Sequence, residues 1–275
     1  MTQQILNPSQ LPIGYRNILI NGGFTINQRV YVSAAALASG VYGHDRWKAG
    51  TGGGDYSFTQ LASPTTITIA ANKTLIQVVE DKNVYGGTYV LSWEGTCQGR
   101  YAVDSATPAG AYADSPIIIT GQTAGATMSV EFGNGASSGT LGKVQLELGS
   151  IATQFEFRHY SAEKSLCEWY LYVIAPEYDS THLVMLTAYI TSVVLGGLFT
   201  PKMRIAPDIT VLNPTNITVV CGGTIVSTNI TLVVLGRSNG AHDVTVTSTS
   251  TPFTDGRASA VRINATVRIY FSAEL

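Results

Sequence analysis

TMSVEFGNG, residues 127–135, reads as one arm and the turn of a β-hairpin. Met128, Val130 and Phe132 fall on one side of an extended chain, Ser129 and Glu131 on the other. Asn134–Gly135 follows, a dipeptide favoured in tight hairpin turns because both residues tolerate left-handed backbone. A little further on, KVQLEL (143–148) repeats the alternation, with Val144, Leu146 and Leu148 opposing Lys143, Gln145 and Glu147. A period of two with one apolar and one polar face predicts antiparallel strands buried on a single side. That reading leaves Glu131 and Glu147 in solvent.

Upstream, Thr65–Ala70, Thr74–Val79, Tyr89–Trp93 and Pro116–Thr120 are further short runs between Gly, Pro, Asn and Ser clusters. Regularly spaced short strands predict a sandwich or jelly roll. Downstream the pattern changes once. SAEKSLCEWYLYV (161–173) places Leu166, Trp169, Tyr170 and Val173 at helical spacing, with Ser161 as N-cap, Glu163 in the first turn and Pro176 beyond the end. Strands then resume at Ile209–Leu212, Asn216–Val220, Ile230–Leu235 and Val244–Thr247. The clearest alternation of all runs from Arg262 to Phe271. Asn239–Gly240 and Asp255–Gly256 supply turns.

The expected fold class is all-β. Residues 1–16, with Pro8 and Pro12, form an extended attachment arm; 17–158 form the sandwich; 159–275 hold one linking helix and a smaller β domain. Leu183–Phe199 is apolar, but Thr187, Thr191, Ser192 and Gly196–Gly197 interrupt it, so consecutive strands are expected rather than a membrane helix.

Charged residues make up 12% of the 275, against about 25% in ordinary domains, and mean hydropathy is +0.17. So little charge suits a chain that covers apolar surface by assembling, and a homotrimer is expected. The net charge of −2, without a basic run, speaks against nucleic acid and against attraction to a membrane surface. Cys97, Cys167 and Cys221 lie far apart and are read as buried free thiols of a protein assembled in a reducing cytoplasm. No signal peptide is read at the N-terminus.

Four local strings resemble one family. NILINGGFTINQR (17–29) followed by HDRW (44–47) is similar to the "NLLINGxFxxxQRG … ADRW" opening of jelly-roll domains in phage and prophage fibre proteins. Lys143–Val173 resembles their "QLExGxxATxFExRxxxxELxLCxxYY" junction. FTPKMRIAPDIT (199–210) resembles "FPxxMRxxPxxT", and RIYFSAEL (268–275) resembles their "DAEL" terminus. The order matches the family's, with departures at Gly43–His44 and Ser272. The resemblance implies a galactose-binding-like jelly roll, then a small β domain, in trimeric virion fibres that contact other virion proteins and bacterial surface polysaccharide. The virion is the location it implies, and a capsid decoration, head fibre or collar is the alternative.

No catalytic site, metal or cofactor is expected. Glu80, Asp81, Glu94, Asp104, Asp114 and Glu131 show no paired-carboxylate motif, which speaks against a polysaccharide depolymerase. His44, His159, His182 and His242 lack metal-ligand spacing. Sugar recognition calls for exposed aromatic faces, and the candidate platforms are Tyr42, Tyr56, Tyr85, Trp93, Tyr178 and Phe253. Asp45–Arg46–Trp47 is read as a structural triplet, an ion-paired edge beside a buried indole.

Overall fold

In the computed structural model, residues 16–275 are described except 62, 176–180, 191, 222–223, 229, 239, 251–252 and 254–255. For 181–190, 224, 237 and 238 the backbone alone is described. The arm at 1–15, Tyr178 and parts of both downstream turns therefore lie outside the described residues, as does the His182 side chain. The chain divides into two compact units, one running to Cys167 and the other from Glu168 to Glu274.

The first unit is a jelly-roll β-sandwich. Its strands are β1 (Lys48–Ala49), β2 (Tyr56–Ser57), β3 (Ile67–Ile69), β4 (Thr74–Val79) and β5 (Gly87–Glu94). They continue with β6 (Gln98–Ala102), β7 (Ala109–Ala113), β8 (Ile117–Gln122), β9 (Met128–Gly133) and β10 (Gly139–Leu148). Two five-stranded sheets result, ordered β1-β4-β9-β6-β7 and β2-β3-β10-β5-β8. Leu75, Val130 and Phe132 of one sheet and Ile69, Leu91 and Leu146 of the other are buried in a shared core. The inward side of β9 and β10 is the side the sequence assigns, except that Leu148, at the end of β10, is exposed.

The outward side is not solvated as expected. Ser129, Glu131, Gln145 and Glu147 are all buried. An extended strap, residues 152–158, crosses β10 and covers its polar side. Thr153 donates its N–H and its hydroxyl to the two Glu147 oxygens, at 2.8 and 2.7 Å. The Glu156 N–H donates to Gln145 Oε1 at 2.7 Å. Glu131 instead pairs with Arg100 at 2.6 Å, and Arg100 lies over the Tyr112 ring, 4.7 Å from its centroid. Glu131, Gln145 and Glu147 thus each have a partner, whereas the buried Ser129 hydroxyl has none.

Helix α1 (Tyr160–Glu168) begins one residue before the expected cap and stops five residues early. Its buried face is Glu163 and Cys167, whereas Trp169 is exposed. Glu163 sets that face. It accepts from the Asn21 N–H and stands 3.3 Å from Arg158, both in the first unit. Leu171–Val173, expected to extend the helix, instead belong to a strand, Leu171–Ile174, because aromatic and β-branched side chains suit an open ladder position.

The second unit comprises β11 (Leu171–Ile174), β12 (Thr181–Ile190), β13 (Val193–Phe199), β14 (Asp208–Leu212) and β15 (Ile217–Cys221). After them come β16 (Thr224–Val226), β17 (Ile230–Ser238), β18 (Ala241–Ser248), β19 (Ala258–Ile263) and β20 (Arg268–Ser272). A three-stranded sheet, β11-β20-β14, and a seven-stranded sheet, β16-β15-β19-β12-β13-β18-β17, share a core that includes Val194, Val219, Val244, Val261, Ile269 and Phe271. The long alternation at 262–271 is two strands, not one. A turn closed by the Val267 N–H on the Asn264 carbonyl, at 2.9 Å, sends β19 and β20 to different sheets. Leu183–Phe199 takes in most of β12 and all of β13, and no helix among the described residues is long and apolar enough to cross a membrane.

Candidate glycan groove

The opening motif is the hub of the first unit. Asn21, buried and at φ 59°, uses its whole amide. Its Oδ1 accepts from the Thr25 and Ile26 N–H groups, and its Nδ2 donates to the Ile26 and Asp45 carbonyls, all within 3.0 Å. The Trp47 indole N–H donates to the Asn21 carbonyl at 2.9 Å. Asp45 takes the Gln28 N–H and side-chain amide at 2.9 and 2.6 Å. The Arg46 guanidinium donates to the Val78 carbonyl at 2.6 Å. All three members of the triplet are buried.

His44, next to them, is also buried, with its Nδ1 and backbone N–H 2.7 and 2.8 Å from the Tyr56 hydroxyl and its Nε2 2.9 Å from Gln60 Oε1. Gln60 turns its NH2 toward backbone carbonyls, so Nε2 carries the histidine proton and the Tyr56 hydroxyl donates to Nδ1. Burial pushes the imidazole down from 6.5 to about 4, against the opposing Gln60 hydrogen bond. The unfolded chain therefore takes up a proton below pH 6.5 that the folded chain refuses until about pH 4. Stability from this residue is complete above pH 6.5 and is lost as pH falls toward 4. Between pH 6.5 and 5, urea titrations should show the wild type losing about 2 kcal/mol more than His44→Gln. Parallel pH profiles would rule this out.

Of the expected sugar platforms, Tyr178 lies outside the described residues, and three of the others are enclosed. Tyr56, Trp93 and Phe253 are buried, so their ring faces are closed to a ligand. Tyr56 packs against Tyr31, His44 and Phe58. Trp93 sits edge-on to Phe132 and donates its indole N–H to the Cys97 carbonyl. Tyr42 is half-buried beneath the Arg29 guanidinium, 4.9 Å from its ring centroid. Tyr85 is 66% exposed, on the loop before β5, with its backbone held by the Tyr89 hydroxyl.

An exposed aromatic face beside polar groups occurs elsewhere in the first unit. On the outward side of β5 and β10, a groove of about 430 Å³ is lined by Pro64, Ser92, Trp93, Glu94, Lys143 and residues 152–155 and 157. That is a size small ligands use. Its floor carries Ser92, Glu94 and Lys143, and its far wall is the strap, with Phe157 59% exposed. The strap is pinned from beneath. The Arg16 and Asn17 N–H groups donate to Glu156 at 3.0 and 2.9 Å, so Glu156 turns away while Phe155 and Phe157 line the groove. Burial alone would raise the Glu156 carboxyl, but those two N–H groups and Arg158 outweigh it and hold it below its ordinary value.

Sequence reading missed Phe155 and Phe157, although FEF after a strand is a legible alternation. It also had no means of pairing Lys143 with Glu94, 49 positions apart.

No protein-family model matches the chain, and neither does any curated protein. Among solved structures, the N-terminal CBM22-1–CBM22-2 tandem domain of Xyn10C from Paenibacillus barcinonensis aligns over 90% of this chain and 99% of that one. Identity is 9% and the TM-score 0.26, a likeness too slight to transfer a ligand or a site.

The acidic side chains are engaged separately. Glu94 pairs with Lys143, Asp104 with Gln122 and Thr123, and Asp114 with Gln98. No group of three metal-ligating side chains occurs among the described residues.

Proposed function

We propose that the chain is a non-enzymatic, fibre-type structural protein of a bacteriophage particle, whose first unit binds a bacterial surface glycan in the groove beside the strap. The phage part of the reading is supported by the ordered motifs at 17–29, 44–47, 143–173, 199–210 and 268–275. The glycan part is carried by one observation: an exposed phenylalanine facing a floor of hydroxyl, carboxylate and ammonium groups. Sugars offer both C–H faces and hydroxyls, and this arrangement meets both.

Self-assembly into a trimer belongs to the same reading. Its support is the outer side of the seven-stranded sheet, where Leu195, Phe199, Ile225, Val233 and Leu235 are exposed beside half-buried Thr231 and Thr245. Apolar faces of this kind mark interaction surfaces.

One experiment tests both parts. Full-length protein is sized by light scattering and then applied to an array of bacterial glycans beside Phe157→Ala. The expected result is a trimer mass and a subset of bound glycans whose signal falls about ten-fold in the variant, the cost of a lost aromatic contact. A monomer, or unchanged binding by Phe157→Ala, contradicts the corresponding half.

A further inference from the structure

We infer that the groove selects a neutral pyranose, holding two adjacent hydroxyls between Glu94 and Lys143 with the sugar's C–H face against Phe157. The inference rests on the glycan reading above and adds the class of sugar.

Lys143 Nζ stands 3.0 Å from Glu94 Oε1, and the side chains are 43% and 67% exposed. Neither group is used up by the pair. The ammonium has two further N–H donors, and the carboxylate has further lone pairs on both oxygens. Adjacent hydroxyls on a pyranose ring stand gauche, at a separation close to that between these two charged atoms. One hydroxyl can donate to Glu94 while its neighbour accepts from Lys143, and the ion pair stays intact. Hydrogen bonds to charged groups are the stronger kind, so this grip exceeds what neutral side chains would give. The Ser92 hydroxyl, on the same side of β5 two residues before Glu94, lines the same floor.

The pair also excludes. A uronate drawn to the Lys143 ammonium also stands beside the Glu94 carboxylate, and an amino sugar drawn to Glu94 also stands beside Lys143, so neither ionic sugar gains a net attraction. Like-charge contact is how a site rejects the wrong ligand. The two charges cancel, so no long-range field favours either ionic sugar.

The placement of Lys143 is built in. β10 carries a bulge between Gly142 and Gln145 against β5, and Lys143 sits in it at φ 48°, a left-handed backbone conformation unusual for a non-glycine residue. Bulges re-aim single side chains. This one is buttressed by the opening string NILINGGF (17–24): the Val144 N–H donates to the Gly22 carbonyl at 2.9 Å, and Asn17 Nδ2 donates to the Val144 carbonyl at 2.9 Å. A Cβ on Gly22 would lie 2.1 Å from that carbonyl oxygen, so only glycine allows the approach. The motif that opens the unit thus fixes the ammonium in the groove, and preorganisation of this kind lowers the cost of binding.

The test uses full-length protein and isothermal titration with methyl glycosides: a neutral hexopyranoside series, its mono-deoxy analogues and the matching uronides. The wild type should bind neutral glycosides, with little change between low and high salt, and lose about ten-fold when either of two neighbouring hydroxyls is removed. Glu94→Gln and Lys143→Met should each lose about ten-fold while melting as the wild type does. If uronides bind more tightly than neutral sugars, the inference is wrong. It is also wrong if both variants bind normally while Phe157→Ala does not, and that result would leave the glycan reading standing. Absence of binding by every glycoside would remove both.

Discussion

Trp47→Ala should lower the unfolding free energy of the first unit by about 3–5 kcal/mol. The indole is fully buried and heads the largest enclosed side chains. Phe24 lies against it with centroids 5.0 Å apart, and Phe132 meets it edge-on at 6.0 Å. Truncation removes both contacts and leaves a cavity among side chains that the two sheets hold in place. It also removes the donor to the Asn21 carbonyl, and Asn21 is the residue that closes the turn at Thr25 and Ile26. Trp47→Phe helps to separate the two losses, because it abandons the hydrogen bond while giving up only part of the ring contact. Urea unfolding followed by circular dichroism should rank wild type, Phe and Ala in that order. A loss below 1 kcal/mol for alanine would mean that the core closes over the gap, contrary to the packing described.

Arg158→Met should cost a similar amount, about 3–5 kcal/mol, for an electrostatic reason. Arg158 is buried and donates to the carbonyls of Asn17 and Leu19. It stands 3.3 Å from both Glu156 and Glu163. Methionine fills the same volume but leaves a buried carboxylate on the helix without its counter-charge. Adding Glu163→Gln to the same chain should recover a substantial part of the loss, because the orphaned charge is then gone. The double-mutant cycle measures that coupling directly. Additive losses would show that the pair does not act as a unit.

Much of the first unit is legible in its alternation. Met128, Val130 and Phe132 face the core because a strand has two sides and these residues share one. What covers the other side is not local information. Gln145 and Glu147 are buried by a strap seven residues long whose short FEF alternation does not say which strand it crosses. At 262–271 the alternation runs unbroken through a turn, because Val267 keeps parity with Ile263 and Ile269 while the backbone between them reverses. Helix spacing misled at 171–173, where a vacant place beside β20 outcompeted another helical turn. For the site, residue type alone chose Tyr56 and Trp93. Parity would have excluded Trp93, which shares the inward side of β5 with Tyr89 and Leu91. Lys143 and Glu94 meet only through the pairing of β10 with β5.

The way the first unit is tied together also governs how fast it forms. Asn17 bonds to Val144 and Leu146, and Arg158 reaches back to Asn17 and Leu19, across 127 to 141 positions of chain. β10 itself pairs with β3, far upstream. None of the Asn17 and Arg158 bonds rewards the chain until a loop of nearly the whole unit has closed, so folding belongs to the slow, millisecond-to-second regime of long-range β topologies. During that wait the apolar runs of β4, β5 and β9 have open edges, which the same runs of another unfinished copy can join. Yield of native protein is then set by synthesis rate and temperature, through a race between closure and encounter, rather than by the stability finally reached.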